Sequence, residues 1–210
     1  MLPVPAETVL LHTIDGLTLV GELAVPPVPA WAAAVVTHPH PLYGGDMHNV
    51  VVDAMVRALQ RAGVAALRFD FRGVGRSEGE HGGGQDERLD VVAAIDLVAP
   101  LAGDGPVVLC GYSFGAAVAA DVLDPRLGGW ALVAPPLGLV GAGLAGPDHR
   151  PKLVLAPAHD QLTPPERMRA ATATWSATTV EEVPMADHFL AGATTAVGER
   201  VVGFARSLAG

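Results

Sequence analysis

Leu109-Cys110-Gly111-Tyr112-Ser113-Phe114-Gly115-Ala116-Ala117 sets a Gly-x-Ser-x-Gly pattern between an apolar run and a stretch of small residues at helical spacing. A serine hydroxyl is a weak nucleophile, so a fold that uses one exposes it on a sharp turn, where a base reaches one side and backbone donors the other. Gly111 and Gly115 leave out the side chains that would crowd such a turn. A chain with 25 glycines also produces this pattern by chance, so the segments around it carry the reading.

Outward from this stretch, strand and helix patterns alternate. Val107–Tyr112 reads as a strand and Ser113 to about Leu123 as the helix that follows it. Upstream, Thr8–Ile14 and Leu17–Val25 read as strands joined by Asp15-Gly16, a pair that accepts the positive φ angles of a tight hairpin. Ala32–Thr37 and Val64–Phe71 are strands, and Val50–Arg61 is a helix ended by Gly63. A further helix spans about Glu87–Leu97. Downstream come the strands Trp130–Ala134, Leu153–Ala158 and Thr179–Val183, with helices over about Pro165–Trp175 and Phe189–Leu208. This alternation predicts an α/β fold with a mostly parallel sheet, helices on both faces and an antiparallel hairpin at its start. Ligands bind such sheets at the carboxyl ends of the strands.

A serine above a central strand needs a histidine base and a carboxylate to orient it. His188 follows the strand Thr179–Val183, and Asp160 follows Leu153–Ala158. Thr163, ahead of Pro164-Pro165, is expected to cap the next helix. The chain order is Ser, Asp, His, the order of α/β-hydrolases. Asp187, adjacent to His188, has difficulty reaching the imidazole Nδ1, and Asp148 lies in an irregular stretch. Oxyanion donors are expected from the Phe114 amide and from the loop His38-Pro39-His40-Pro41-Leu42-Tyr43-Gly44-Gly45. Pro39 and Pro41 have no N–H, so the His40 amide is favoured, with Leu42 or Tyr43 behind it. His38 and His40 lack an obvious third ligand, so no metal is assigned. Arg72–Gly79 follows a strand but lacks the lysine of a phosphate-binding loop. It is read as a turn, with Asp70 and Arg72 as a structural ion pair.

Composition narrows the remaining choices. At 210 residues, half of them hydrophobic but only 5% aromatic, the chain is expected to form one domain, 1–210, with a core of Ala, Val and Leu. A net charge of −9 without a cluster of Lys or Arg argues against nucleic acid as a partner. The N-terminus lacks a basic start followed by an apolar core, and no apolar run approaches the ~18 residues of a membrane span, so a cytoplasmic protein is expected. The lone Cys110 reads as a buried small hydrophobe.

His38–Gly45, Arg68–Gly79, Gly111–Gly115 and Asp187-His188-Phe189 together resemble the α/β-hydrolase superfamily, and within it the compact bacterial serine hydrolases related to dienelactone hydrolases. The resemblance implies an eight-stranded sheet, with Ser113 as nucleophile, His188 as base and Asp160 as orienting acid. One departure is Pro157-Ala158, where the family carries Gly-Asp before the acid turn. The stretch from Pro135 to Pro151 is too short for a multi-helix lid, so an open site is expected, lined by Leu42, Tyr43, Phe114, Leu137, Leu162 and Phe189. The expected activity is hydrolysis of small carboxylic esters or thioesters through an acyl-enzyme, without a cofactor. A peptidase, lactonase or dienelactone-type hydrolase with the same triad is one alternative. A non-catalytic acyl-ligand or partner-binding module on the same fold is another. An apolar rim left by a missing lid is compatible with a homodimer.

Overall fold

The computed structural model describes residues 6–137 and 143–210. Residues 1–5, part of the N-terminus expected to lack a leader, and 138–142, inside the short Pro135–Pro151 stretch, lie outside them. The chain opens with β1 (Glu7–His12) and β2 (Thr18–Ala24), paired antiparallel through the turn at Asp15-Gly16. Then follow β3 (Ala32–Thr37), α1 (Val50–Arg61), β4 (Val64–Phe69), α2 (Glu87–Val98), β5 (Val107–Tyr112) and α3 (Phe114–Ala120). The last part contains β6 (Leu127–Val133), β7 (Lys152–His159), α4 (Pro165–Ala171), β8 (Thr178–Asp187) and α5 (Thr194–Ser207). One eight-stranded sheet results, in the order β1-β2-β4-β3-β5-β6-β7-β8. β2 is antiparallel to β1 and β4, and every later pairing is parallel.

Burial on both faces explains the composition of the central strands. All six residues of β3 and all six of β5 are buried, as expected of parallel strands covered twice. On one face Val35, Leu67, Leu109 and Leu132 pack with Ile95 of α2 and Val118 of α3. On the other, Val36, Val108 and Val133 pack with Met55 of α1 and Val201 of α5. Small residues let these helices approach closely: a Cβ on Gly198 of α5 would lie 2.8 Å from the Ala58 Cβ of α1. No helix is long and apolar enough to cross a membrane among the described residues.

Several element boundaries and contacts differ from expectation. α5 starts at Thr194 rather than Phe189, because Leu190 and Gly192 take left-handed φ angles of 57° and 77° and break the helical path. A 3-10 turn at Pro41–Tyr43 interrupts the loop after β3. Thr163 does not cap α4: its Oγ1 is buried without a hydrogen-bond partner, and Pro164 occupies the cap position.

Arg72 does not pair with Asp70. Its guanidinium bonds the fully buried Asp90 at 2.7 and 2.9 Å and Asp15 of the hairpin turn at 2.9 Å, while Asp70 accepts the Met47 N–H. Those two carboxylates converge on Arg72 from α2 and from the first hairpin. Removing Asp90 would leave the buried guanidinium with Asp15 alone and the Arg72 amide without its acceptor, a loss of about 1–3 kcal/mol. The glycine-rich Gly79–Gly84 segment is fastened nearby by Glu87, fully buried at the start of α2, which accepts the Gly82 and Gly84 amides.

Candidate active site

β5 lies between β3 and β6 at the centre of the sheet, and the chain turns at its carboxyl end into α3 through Ser113. Ser113 has φ 52° and ψ −120°, a conformation that costs a non-glycine residue about 1–3 kcal/mol. Its N–H is pinned to the Val133 carbonyl at 2.8 Å. A Cβ at Gly111 would lie 2.6 Å from the Ala116 nitrogen, and one at Gly115 would lie 2.5 Å from the His38 carbonyl oxygen. Both glycines are therefore required by close backbone approach.

Three side chains from three loops meet above this elbow. Ser113 Oγ lies 2.9 Å from His188 Nε2, and His188 Nδ1 lies 2.8 Å from Asp160 Oδ2. Asp160 Oδ1 accepts the amides of Leu162 and Thr163 at 2.8 and 3.0 Å. Burial pushes the Asp160 carboxyl up, but the hydrogen bonds from His188 and these amides outweigh it and hold the group below the usual carboxylate range. The Pro157-Ala158 departure coincides with a register shift between β7 and β8 at Pro157/His159, just where the chain turns outward to Asp160. Tyr112 donates its hydroxyl to the His188 carbonyl at 2.9 Å and so fixes the histidine loop to β5. The other carboxylates are committed: Asp187 accepts the Phe189 amide, and Asp148 pairs with Arg150 at 2.7 Å.

A pocket of about 460 Å³ opens over Ser113 and His188. Tyr43, Leu162 and Phe189 line it, as expected. Leu42 does not: in the 3-10 turn successive side chains point roughly 120° apart, and Leu42 borders a neighbouring cleft with Asp46 and Met47. Phe114 and Leu137 are also absent from its walls and are buried in the core. The Phe114 ring supports the loop from below, 4.7 Å from the His40 ring. Within that loop the Tyr43 amide donates to the His40 carbonyl and the Leu42 amide to His40 Nδ1. The His40 and Phe114 amides have no hydrogen-bond partner among the described residues. Asn49, Pro39 and Tyr112 also line the pocket and were not singled out from sequence. For Asn49 a signal was available, since it stands directly before an amphipathic helix as a capping residue does.

His38 has a structural task beneath this loop. Its Nε2 accepts the Phe71 N–H at 3.0 Å, so its proton sits on Nδ1, 2.7 Å from the Pro39 carbonyl. Burial pushes the imidazole down from 6.5 to about 4. Between these values the unfolded chain binds a proton that the folded chain does not, so stability is complete above about pH 6.5 and falls as pH drops toward 4. The full effect is about 3 kcal/mol from one group. Urea unfolding at pH 7 and pH 4.5 should therefore show a steeper loss for the parent than for His38→Gln, and parallel losses would reject this role.

An eight-stranded sheet with an antiparallel start, and a serine at the elbow after β5, define an α/β-hydrolase. Residues 35–183 match the family described as serine aminopeptidase, S33, and the chain belongs to that family. Two solved structures resemble it closely over nearly all of both chains. One is an alpha-beta serine hydrolase homologue from Coxiella burnetii, 30% identical, covering 97% of this chain and 99% of its own, with a TM-score of 0.86. The other is a serine hydrolase without a lid from Xanthomonas campestris, 28% identical, covering 99% and 96%, with a TM-score of 0.85. An uncharacterised protein from Rickettsia prowazekii is 35% identical over 57% of this chain and 52% of its own length. The chain spans about half the length of the curated relatives it matches.

Proposed function

We propose that this chain is a serine hydrolase of small carboxylic esters or thioesters. The observation that carries the reading is the unbroken hydrogen-bonded series Ser113–His188–Asp160 beneath an open, mainly apolar pocket. In the proposed cycle His188 takes the Ser113 proton as Oγ attacks the carbonyl, and Asp160 stabilises the imidazolium that forms. The Phe114 and His40 amides receive the oxyanion, and a single such donor typically contributes about 10²–10³ in turnover. Protonated His188 returns its proton to the departing alcohol or thiol, leaving an acyl-Ser113. Water, deprotonated by His188, then releases the acid and regenerates the hydroxyl. The cycle calls for neither cofactor nor metal.

The description of the family as serine aminopeptidases favours a second reading, cleavage of aminoacyl amides by the same residues. The pocket walls carry no Asp or Glu among the described residues to receive an α-ammonium group, which favours esters. A panel of esters, lactones and aminoacyl amides separates these readings. We further infer that the residues described form one domain that works in the cytoplasm on a small molecule, with nucleic acid and membrane outside its range of partners. The exposed Tyr43, Met185 and Phe189 could seat a second copy as a homodimer.

The test is intact-mass analysis after exposure to a fluorophosphonate. One adduct is expected on the parent, none on Ser113→Ala and slower labelling of His188→Ala. An unlabelled, folded parent would favour a binding module instead.

A further inference from the structure

Asn49 lines the catalytic pocket and caps the N-terminus of α1. Hydrogen-bond chemistry sets the direction of its carboxamide. The Val51 N–H can only donate, so the Asn49 oxygen faces it at 3.0 Å and the NH₂ group turns the other way. Both N–H donors of that group lack a partner among the described residues, and Asn49 Nδ2 is not among the buried unpartnered atoms, so solvent reaches it. A donor of this kind is open to a ligand without first giving up an internal bond.

The rest of the pocket limits what such a ligand can be. Its described walls hold no Lys, Arg, Asp or Glu. Arg76 lies in the neighbouring cleft, and the chain as a whole carries a charge of −9. An anionic group entering the pocket would lose hydration without gaining a cation, against a repulsive field. The lip is formed by Tyr43 and Phe189, which are 88% and 69% exposed, with Leu162 half-exposed beside them. These side chains contribute little to the core and present an apolar surface to whatever occupies the site.

We propose that Asn49 is a specificity-determining residue, and that the substrate is an uncharged ester. Its apolar body rests on Tyr43, Leu162 and Phe189, and a neutral oxygen acceptor such as a ketone or ether takes a hydrogen bond from Asn49 Nδ2. This inference rests on the serine hydrolase reading and names the substrate class for the same pocket. It excludes substrates with a free carboxylate, dienelactones among them.

The experiment compares p-nitrophenyl oxoalkanoates, with the ketone at the fourth, fifth or sixth carbon, against alkanoates of equal length. Parent, Asn49→Asp and Asn49→Ser are assayed side by side. Both replacements retain a good helix cap, and thermal melts report folding. The readout is the ratio of kcat/KM for each oxo ester to its plain counterpart, which cancels any general change in rate. The parent should favour at least one ketone position by about three- to tenfold, the range of one neutral hydrogen bond, and both variants should bring that ratio near one. p-Nitrophenyl hemisuccinate should be at least about tenfold poorer than the pentanoate in the parent. A parent without ketone preference, variants that keep it, or a hemisuccinate turned over as fast as the pentanoate would each overturn the inference while Ser113-dependent turnover of plain esters left the hydrolase reading standing. Absence of any Ser113-dependent turnover would overturn both.

Discussion

Ser113→Ala should lower kcat/KM for p-nitrophenyl butyrate by about 10⁴–10⁶-fold while leaving the fold intact. The size of the effect follows from the lack, among the described residues, of any substitute nucleophile near the base. Cys110, three residues earlier on β5, is fully buried, and burial pushes its thiol up to about 12, so it holds almost no thiolate at neutral pH. Tyr112 is pushed up to about 12 by burial and by the charges of Asp160 and Asp187, and its hydroxyl is occupied by the His188 carbonyl. Alanine keeps the Cβ that the elbow already accommodates at φ 52°, so its melting temperature should stay within a few degrees of the parent. Residual turnover would come from the oxyanion amides and binding alone. A purified variant within tenfold of the parent would place the nucleophile elsewhere.

The parts of the molecule that were legible in the sequence are those governed by neighbours in the chain. β3, α1 and β5 were read with the boundaries they have, because apolar runs and helical spacing end at local signals such as Gly63. Ser113, Asp160 and His188 could be named because each follows a strand, and in a parallel sheet those strand ends converge on one edge. What escaped was set at long range or by side-chain direction. Arg72 chooses Asp90 and Asp15, 18 and 57 positions away, over Asp70, two positions away. Leu42 and Tyr43 are adjacent large side chains in one loop, and only the 3-10 turn sends Tyr43 to the pocket and Leu42 to the next cleft. The apolar segment after His188 fits a helical pattern, yet two left-handed residues keep it as a turn that holds Phe189 at the pocket lip.

Asp160→Asn should reduce kcat/KM by about 10⁴-fold with little change in KM, and the reason lies in which atoms can face which. Asp160 Oδ1 accepts two backbone amides, from Leu162 and Thr163, and those N–H groups cannot turn away. An asparagine must therefore keep its single oxygen toward them and present NH₂ to His188 Nδ1, 2.8 Å from the original carboxylate oxygen. Facing a donor, Nδ1 has to give up its proton, which moves to Nε2 and points at Ser113 Oγ. The imidazole then meets the serine as a donor when the reaction needs an acceptor, and the imidazolium formed later has no negative partner. Asp160→Ala leaves both Leu162 and Thr163 amides unpaired and should lower the melting temperature as well, whereas the asparagine variant should fold as the parent does. The pair of variants thus separates the tautomer effect from damage to the turn. If Asp160→Asn retained more than a tenth of parental turnover, the acid would lie elsewhere and Asp160 would be a turn residue.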